Sequence, residues 1–260
     1  MQMITFLGTS GGLVVNDRSC AGVLVDNTLL DCGFGVLKNI RRFGIPLDRV
    51  DRILISHTHA DHCGDFVGII WAMALERREK PVQVVGSSDT LDRLHMILDI
   101  YGTPRELLRN LKVIWDPLER AGVEHCEGIH FPENHAYRLD DGGKSAVYTG
   151  DTAMSNRITD FARGADTLIH ESTFRGKDGA FARLTNHSTA PQAAMVAHDA
   201  GVKRLVLTHF TMPPADIPKA LVEAKKIFPN TTAANDGLVL HQTAAPSGTP
   251  LSRGHTTLQI

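Results

Sequence analysis

The stretch 57–62, with the sequence HTHADH, places four metal-ligand side chains within six residues. It directly follows the segment 52–56, RILIS, which is short, apolar and rich in branched side chains, as buried strands are. The ligands therefore lie on the loop that leaves the carboxyl end of a strand. Imidazole and carboxylate together suit a divalent first-row metal, with His favouring zinc and a carboxylate also accepting manganese or iron.

The spacing inside this stretch predicts two metal ions rather than one. In an extended segment His57 and His59 point the same way, whereas Asp61 and His62 turn away from them. A single four-coordinate ion would not need all four side chains. The alternatives are a histidine-rich surface loop or histidines buried in a core, and four such residues at one strand exit argue against both.

An H-x-H-x-D-H motif after an apolar strand resembles the first metal motif of the metallo-β-lactamase superfamily. The resemblance implies an α/β fold, the αββα sandwich, in which two β-sheets lie face to face between helices. Strand-like and helix-like segments alternate in two halves of the chain, which also indicates a layered α/β domain. We expect a single domain over 1–243. The Pro-, Ser- and Gly-rich segment 244–260, which includes His255, is expected to be a flexible tail.

Composition agrees with a globular protein of one large domain. The chain has 260 residues, 42% apolar and 22% charged, and a net charge of −2, so no global basic field favours nucleic acid as a partner. Its four cysteines lack C-x-x-C spacing, which favours a reduced, intracellular protein. Residues 1–7 do not resemble a signal peptide, and no stretch has the apolar length of a membrane span. We expect a cytoplasmic protein with no membrane partner.

Three later residues can complete a site for two metals. Asp151 follows the strand-like segment 145–149, and His209 follows the segment 203–208. His135 follows an apolar stretch and precedes a turn at 140–143. Open α/β sheets place their sites at strand exits of this kind. For His135 and His209, ordinary buried histidines are the alternative.

The resemblance implies how these side chains divide between two ions. One ion would be held by His57, His59 and His135, and the other by Asp61, His62 and His209. Asp151 would bridge the two, because a carboxylate has two oxygens to share. The expected cofactors are two Zn²⁺ ions, with Mn²⁺ or Fe able to substitute.

This ligand set predicts a hydrolase. Two cations lower the pKa of the water between them and neutralise charge on the attacked group, so hydroxide is the nucleophile at neutral pH. Asp61 is also a candidate to take a proton from that nucleophile. The segment GTSGG at 8–12 fits the G-x-S-x-G pattern of a serine nucleophile, but it is predicted to be the loop that ends the first strand, with no helix directly after it. The reaction class covers phosphodiesters, thioesters, lactones, lactams and sulfate esters.

Three further motifs resemble the RNase Z branch of the superfamily: HEST at 170–173, NHSTA at 186–190 and LTHF at 207–210. The resemblance implies that His187 is a general acid, or a charged hydrogen-bond donor to a substrate phosphate, and that Glu171 orients it. A His paired in this way has a raised pKa and keeps its proton near neutrality. The alternative is a helix N-cap at 187–190, and the two roles are compatible because Ser188 or Thr189 can supply the cap.

Differences between this sequence and the transfer-RNA-processing enzymes of that branch limit the class of substrate that we expect. The transfer-RNA-processing enzymes carry D-C-G-E-G-T-Q where 31–37 here reads DCGFGVL. They also carry a basic, Gly-rich arm that grips the transfer RNA, and the long-armed forms insert it between the third-motif His and the bridging Asp. The 16 positions from His135 to Asp151 hold a β-hairpin and nothing more. A folded RNA would therefore lose most of its phosphate contacts, so a nucleic-acid substrate is disfavoured.

We therefore predict a dinuclear-metal phosphodiesterase that acts on a small or cyclic phosphodiester. The alternatives are a lactonase, a β-lactamase-like enzyme or an arylsulfatase of the same fold, an RNA 3′-end endonuclease, and a non-enzymatic metal-binding scaffold. A homodimer is the state common among look-alikes of this branch, although the sequence itself does not determine the oligomeric state.

Side chains around the motifs have two interpretations each. Asp31, in the turn after a predicted hairpin, either orients a ligand His or caps the following helix. Five cations on loops that flank the motifs are either phosphate ligands or solvated surface charges: Arg18, Arg105, Arg175, Lys177 and Arg183.

Overall fold

The structure is a computed structural model that describes residues 2–242, so the predicted tail and His255 lie outside the described residues. Two β-sheets form its centre. The first sheet has the strand order β13-β1-β2-β3-β4-β5-β6. Its strands are β1 (Gln2–Gly8), β2 (Gly22–Val25), β3 (Thr28–Leu30), β4 (Arg52–Leu54), β5 (Val82–Gly86), β6 (Val113–Pro117) and β13 (Val239–Gln242). Strands β3 to β6 are parallel, while β13, β1, β2 and β3 pair antiparallel.

The second sheet has the order β12-β11-β10-β9-β8-β7. Its strands are β7 (Glu124–Glu127), β8 (His135–Asp141), β9 (Lys144–Tyr148), β10 (Thr167–Glu171), β11 (Leu205–Thr208) and β12 (Thr231–Ala233). Strands β9 to β12 are parallel, and β7, β8 and β9 form an antiparallel meander. The turn between β8 and β9 has glycines at 142 and 143 with positive φ, and this short hairpin is the one expected from the sequence.

Helices cover the outer face of each sheet. They are α1 (Val36–Arg42), α2 (Ala60–Cys63), α3 (Phe66–Leu75), α4 (Ser88–Ile100), α5 (Arg105–Leu111), α6 (Asn156–Phe161), α7 (Gly179–Leu184), α8 (Ala190–Ala200) and α9 (Ile217–Lys225). None of the helices within 2–242 is both long enough and apolar enough to cross a membrane.

Three buried apolar clusters hold these layers together. Successive side chains of a strand belong to different clusters, because they point to opposite faces of the sheet. Leu54 faces the other sheet, whereas Ile53 and Ile55 face the helices of the first half. Both faces of the central strands are covered, which is why segments such as 52–56 are continuously apolar instead of alternating. The helix–sheet–sheet–helix order confirms the αββα sandwich.

Most strands predicted from the sequence are present with shifts of one or two residues at their ends. The parallel strands β9, β10 and β11 end at one edge of their sheet, because parallel neighbours finish in register. β4 of the other sheet ends at the same edge of the sandwich, where His62, which follows β4, meets His209, which follows β11. The loops that carry the sequence motifs follow these four strands. The fold therefore gathers motifs that are up to 150 residues apart at one edge.

Candidate metal centre

The local backbone separates the four ligands of 57–62 into two pairs. His57 and His59 lie on the extended segment that leaves β4, and His59 has φ −62° and ψ 145°. The helix α2 begins at the next residue, so Asp61 and His62 lie on a helical turn and point elsewhere. The change from extended to helical backbone inside one motif is the physical reason why it can serve two ions.

The first group of ligand atoms consists of three imidazoles and one carboxylate, from His57, His59, His130 and Asp151. Nδ1 of His59 lies 3.1 Å from Nε2 of His57 and 3.3 Å from Nε2 of His130. Oδ2 of Asp151 lies 3.8 Å from His57 Nε2 and 4.0 Å from His130 Nε2. These atoms converge on one point at the edge of the sandwich.

The predicted ligand set needs one correction, because the structure brings His130 to this group and not His135. His135 is the first residue of β8 and pairs there with Glu127, and its Nε2 lies 2.7 Å from Oε1 of Glu133. His130 instead lies on the loop that follows β7. Each other ligand of this centre also follows a strand, so position after a strand, and not before one, is the sequence signal that distinguishes His130.

The second group consists of Asp61, His62, His209 and again Asp151. Nε2 of His209 lies 3.1 Å from Nε2 of His62 and 3.3 Å from Oδ2 of Asp61. Asp151 contacts both imidazoles, with Oδ2 3.3 Å from His62 Nε2 and Oδ1 3.2 Å from His209 Nε2. Asp151 is thus the carboxylate that both groups share, as the sequence predicted.

The geometry of both groups fits metal ions. Two imidazole nitrogens that bind one tetrahedral zinc at about 2.0–2.1 Å lie roughly 3.3 Å apart, close to the 3.1 Å observed in each group. Oδ1 of Asp151 is buried and receives no hydrogen bond from any residue in 2–242, which leaves it free to bind a cation. Burial lowers the pKa of His57 and of His59, which favours the neutral imidazole that metals bind.

Three of the ligand imidazoles are oriented through Nδ1, the nitrogen that faces away from the centre, as metal ligands usually are. Nδ1 of His57 lies 3.0 Å from the Ser56 hydroxyl, and Nδ1 of His130 lies 3.3 Å from the carbonyl oxygen of Asn186. Nδ1 of His62 lies 2.8 Å from Oδ2 of Asp31. These contacts hold Nε2 of each ring toward the centre.

Asp31 supports the metal loop and does not cap a helix. It is fully buried and accepts hydrogen bonds from the Ser56 backbone N–H and hydroxyl, at 2.7 Å each, and from the Tyr148 hydroxyl at 2.7 Å, in addition to His62. The helix α1 begins later, after Gly35. At Gly33 a Cβ atom would lie 1.9 Å from the carbonyl oxygen of Asp61, so the turn after Asp31 packs directly against the metal loop.

We expect Asp31→Asn to destabilise the protein and weaken metal binding together. The amide cannot accept all four hydrogen bonds, so the free energy of unfolding should fall by about 2–4 kcal/mol, and metal affinity should fall roughly 10–100-fold. Denaturant unfolding and chelator competition measure the two effects. Asp26→Asn is the matched control, because Asp26 also has a positive φ and accepts a backbone hydrogen bond, from Met3, far from the centre. Equal metal affinity in the two variants would exclude the orienting role.

His187 and Glu171 form a hydrogen-bonded pair beside both groups of ligands. Nδ1 of His187 lies 2.9 Å from Oε1 of Glu171, and Glu171 also accepts from the backbone N–H groups of Thr152 and Thr173 and from the Thr173 hydroxyl. The His187 ring lies 4.9 Å from that of His130 and 5.8 Å from that of His209, centroid to centroid. Glu171 is buried, and the His187 side chain is 16% exposed, so His187 can meet a ligand from solvent.

The pair affects the protonation of both partners. Burial lowers the pKa of His187, but the hydrogen bond to Glu171 and its negative charge outweigh burial and raise that pKa to about 9. Burial raises the pKa of Glu171, while the hydrogen bond and charge of His187 lower it overall. A pKa of about 9 favours the protonated form of His187 at neutral pH, which is the form that the predicted acid role requires.

The capping role proposed for 187–190 belongs to Thr189 and leaves His187 free. The Thr189 hydroxyl accepts from the backbone N–H of Gln192, whose side chain in turn accepts from the Thr189 N–H. This capping box, with Pro191 in the first turn, begins α8.

Two of the candidate phosphate-binding cations are occupied by protein groups. The Arg18 guanidinium donates to the Ala234 carbonyl oxygen at 2.8 Å and also contacts Thr9 and Asn235. Arg175 forms ion pairs with Glu223 at 2.6 Å and Asp216 at 3.4 Å. Both side chains stabilise loops at the edge of the sandwich.

This fold and this arrangement of ligands define a hydrolase of the metallo-β-lactamase superfamily. The family model described as "Beta-lactamase superfamily domain" matches residues 26–210, and the chain belongs to that family. The solved structure of the metallo-beta-lactamase fold protein YhfI from Bacillus subtilis is similar with a TM-score of 0.79 and 24% identity, over 92% of this chain and 98% of that one. The short form of human tRNase Z is similar with a TM-score of 0.75 and 21% identity, over the same shares of the two chains.

Within the superfamily, the chain belongs to the ribonuclease Z-like branch. A ribonuclease Z of Picrophilus torridus is 30% identical over 86% of this chain and 91% of its own length. A ribonuclease Z of Parabacteroides distasonis is 29% identical over 91% of this chain and 98% of its own length.

Proposed function

We propose that this protein is a zinc-dependent phosphodiesterase that acts on a small or cyclic phosphodiester. His57, His59 and His130 would hold one ion, Asp61, His62 and His209 the other, and Asp151 would bridge them. Ions bound there would supply a hydroxide nucleophile at neutral pH and neutralise charge on the phosphate. Asp61, whose side chain is only partly exposed, is the proposed acceptor of a proton from the nucleophile.

The observation that carries the proposal is the buried pair of His187 and Glu171. Because Nδ1 of His187 is bound to Glu171, Nε2 is the atom that can donate a proton to the oxygen of a leaving group. An alkoxide that leaves a phosphodiester needs such a proton, whereas the activated carbonyl of a lactone or lactam needs it much less. The protonated pair therefore favours a phosphodiester over the other esters that this fold could hydrolyse.

The space next to the pair suits a small leaving group. A pocket of about 390 Å³ opens beside His130, lined also by Ile129, Ser155, Arg157 and Asn186. Ligand sites for small molecules begin at about 300 Å³. The His130 ring that borders this pocket lies 4.9 Å from the His187 ring, centroid to centroid, so a group bound there would lie near the proposed acid.

An RNA 3′-end endonuclease is the second candidate, favoured by the relatives named ribonuclease Z. Against it, 91% of this 260-residue chain is about 237 residues, whereas the alignment with the Parabacteroides distasonis relative spans 297 positions. About 60 positions of that alignment thus have no counterpart here, which supports the absence of an arm. The net charge of −2 adds no general attraction for RNA phosphates. The homodimer and the cytoplasmic location stay predictions from the sequence.

The test is turnover of four substrates by the zinc- or manganese-loaded protein: bis(p-nitrophenyl) phosphate, a 2′,3′-cyclic nucleotide, a lactone and a β-lactam. We expect cleavage of the two phosphodiesters. A precursor transfer RNA with a 3′ extension, assayed in parallel, separates the second candidate. Turnover of the lactone or lactam alone would contradict the proposal, and efficient cleavage of the RNA without the cyclic diester would replace it by the endonuclease.

A further inference from the structure

Thr173, two residues after β10, lies where the acid pair and the second group of ligands meet. It is 3% exposed, and its hydroxyl oxygen has three functional neighbours. Oε2 of Glu171 lies 2.7 Å away, Nδ1 of His209 lies 3.0 Å away, and Nδ1 of His187 lies 3.3 Å away. No other side chain in 2–242 is hydrogen-bonded to both Glu171 and His209.

The direction of these hydrogen bonds follows from the number of protons. A hydroxyl has one proton, and an ionised carboxylate can only accept, so Thr173 donates to Glu171. The lone pairs of the same oxygen are then left to accept, and His209 must present an N–H at Nδ1. The lone pair of His209 is therefore at Nε2, which lies 3.3 Å from Asp61 and 3.2 Å from Asp151.

Ser56 shows the same arrangement at the first group of ligands. Its hydroxyl donates to Asp31 at 2.7 Å and lies 3.0 Å from Nδ1 of His57. In both places a buried hydroxyl donates to a carboxylate and also contacts Nδ1 of a ligand imidazole, so the carboxylate helps to orient the ring through the hydroxyl. Thr173 differs because its carboxylate, Glu171, also binds His187.

We propose that Thr173 is a positioning residue that couples the acid pair to the metal centre: its one hydroxyl fixes the tautomer of His209 and the orientation of Glu171. The inference rests on the roles proposed above for His209 and His187. When the hydroxyl is removed, Glu171 keeps its two backbone donors but loses the shorter hydrogen bond at Oε2, so the carboxylate is held less firmly beside His187. His209 simultaneously loses the acceptor that keeps its proton on Nδ1, and the ring can turn or change tautomer.

The experiment compares Thr173→Val, which keeps the branched shape, with Thr173→Ser, which keeps the hydroxyl. In Thr173→Val we expect the affinity for one of the two zinc ions to fall about 10–100-fold, measured by chelator competition, while the other ion is retained. Nitrogen-15 NMR of the imidazoles should show a mixture of tautomers at His209 and a shifted Nδ1–H signal at His187. Thr173→Ser should restore zinc affinity and both signals. Where diester turnover is measurable, Thr173→Val should lower kcat and leave KM nearly unchanged.

Thr90→Val is the matched control. Thr90 is equally buried and lies in α4, away from the centre, and its hydroxyl oxygen accepts a hydrogen bond from the Ser87 hydroxyl. It should lose stability without changing zinc affinity or the imidazole signals. The proposal would be overturned if Thr173→Val bound both zinc ions as tightly as the wild type. It would also be overturned if Thr173→Ser lost as much zinc affinity as Thr173→Val. An Nε2–H tautomer of His209 in the wild-type protein before zinc is added would also overturn it. These readouts need no substrate, so they decide the role of Thr173 even if the proposed activity is wrong.

Discussion

Replacement of Asp151 by Asn should remove the activity almost completely and lower the zinc content below two ions per chain. Asp151 is the one carboxylate that belongs to both groups of ligands, and it is 2% exposed. An amide of the same shape keeps the packing but gives up the negative charge that two bound cations would require. Because bound metals would supply both the nucleophile and charge neutralisation in the proposed reaction, we expect kcat/KM to fall at least about 10³-fold. Steady-state kinetics with metal analysis of the same sample measure both effects.

Asp166→Asn is the control for Asp151→Asn. Asp166 directly precedes β10, and it forms ion pairs with Lys144 at 3.1 Å and Lys203 at 2.7 Å. Loss of this carboxylate should cost stability but leave two zinc ions and full activity. A bridging role for Asp151 would be excluded by an Asp151→Asn protein that binds two ions and hydrolyses the diester at the wild-type rate.

Replacement of His187 by Ala should slow the reaction while both metals stay bound. A positioned general acid contributes about 10²–10⁴-fold, so we expect that loss in kcat for a cyclic nucleotide, whose leaving group is an alkoxide. The loss should be much smaller for bis(p-nitrophenyl) phosphate, because p-nitrophenolate leaves without a proton. His198→Ala is the control, since His198 is an exposed histidine that also pairs with a carboxylate, Asp199. Equal losses for the two substrates would mean that His187 binds the phosphate and does not donate a proton.

The pH dependence gives an independent measurement of the same role. The acid works in its protonated form, and the pKa of His187 is raised to about 9. The rate with an alkoxide leaving group should therefore hold below pH 9 and fall as the pH rises through about 9. In Glu171→Gln the cause of the raised pKa is removed, so the decline should move to lower pH. A decline at the same pH in both proteins would assign it to another group.

Local pattern was enough to predict much of the centre. The motif at 57–62 follows β4, and Asp151 and His209 follow β9 and β11, so each ligand could be found from an apolar strand and the polar residue after it. Such strands are recognisable because burial on both faces requires continuous apolar sequence. The separation of His57 and His59 from Asp61 and His62 was also predictable, since it depends only on backbone geometry within six residues.

His130 and His135 show where local pattern fails. They are five residues apart, one after β7 and the other at the start of β8, so the ends of these two strands decide between them. The ends of β7 and β8 are set by pairing with neighbouring strands. They cannot be predicted from the sequence of a short segment alone. The role of Asp31 had the same difficulty, because a turn Asp can cap a helix or bind a side chain, and its partners His62 and Tyr148 lie 31 and 117 residues away.

The sequence by itself thus determined the fold class, the chemistry of the ligands and the acid pair, because these depend on residue type and on order along the chain. Only the tertiary structure decided which histidine completes the first group of ligands, what Asp31 binds, and that Thr173 lies between Glu171 and His209. Each of these depends on the register of strands brought together from distant parts of the chain. A shift of one residue in a strand turns a side chain to the opposite face of its sheet, and that choice is made by packing across the whole domain.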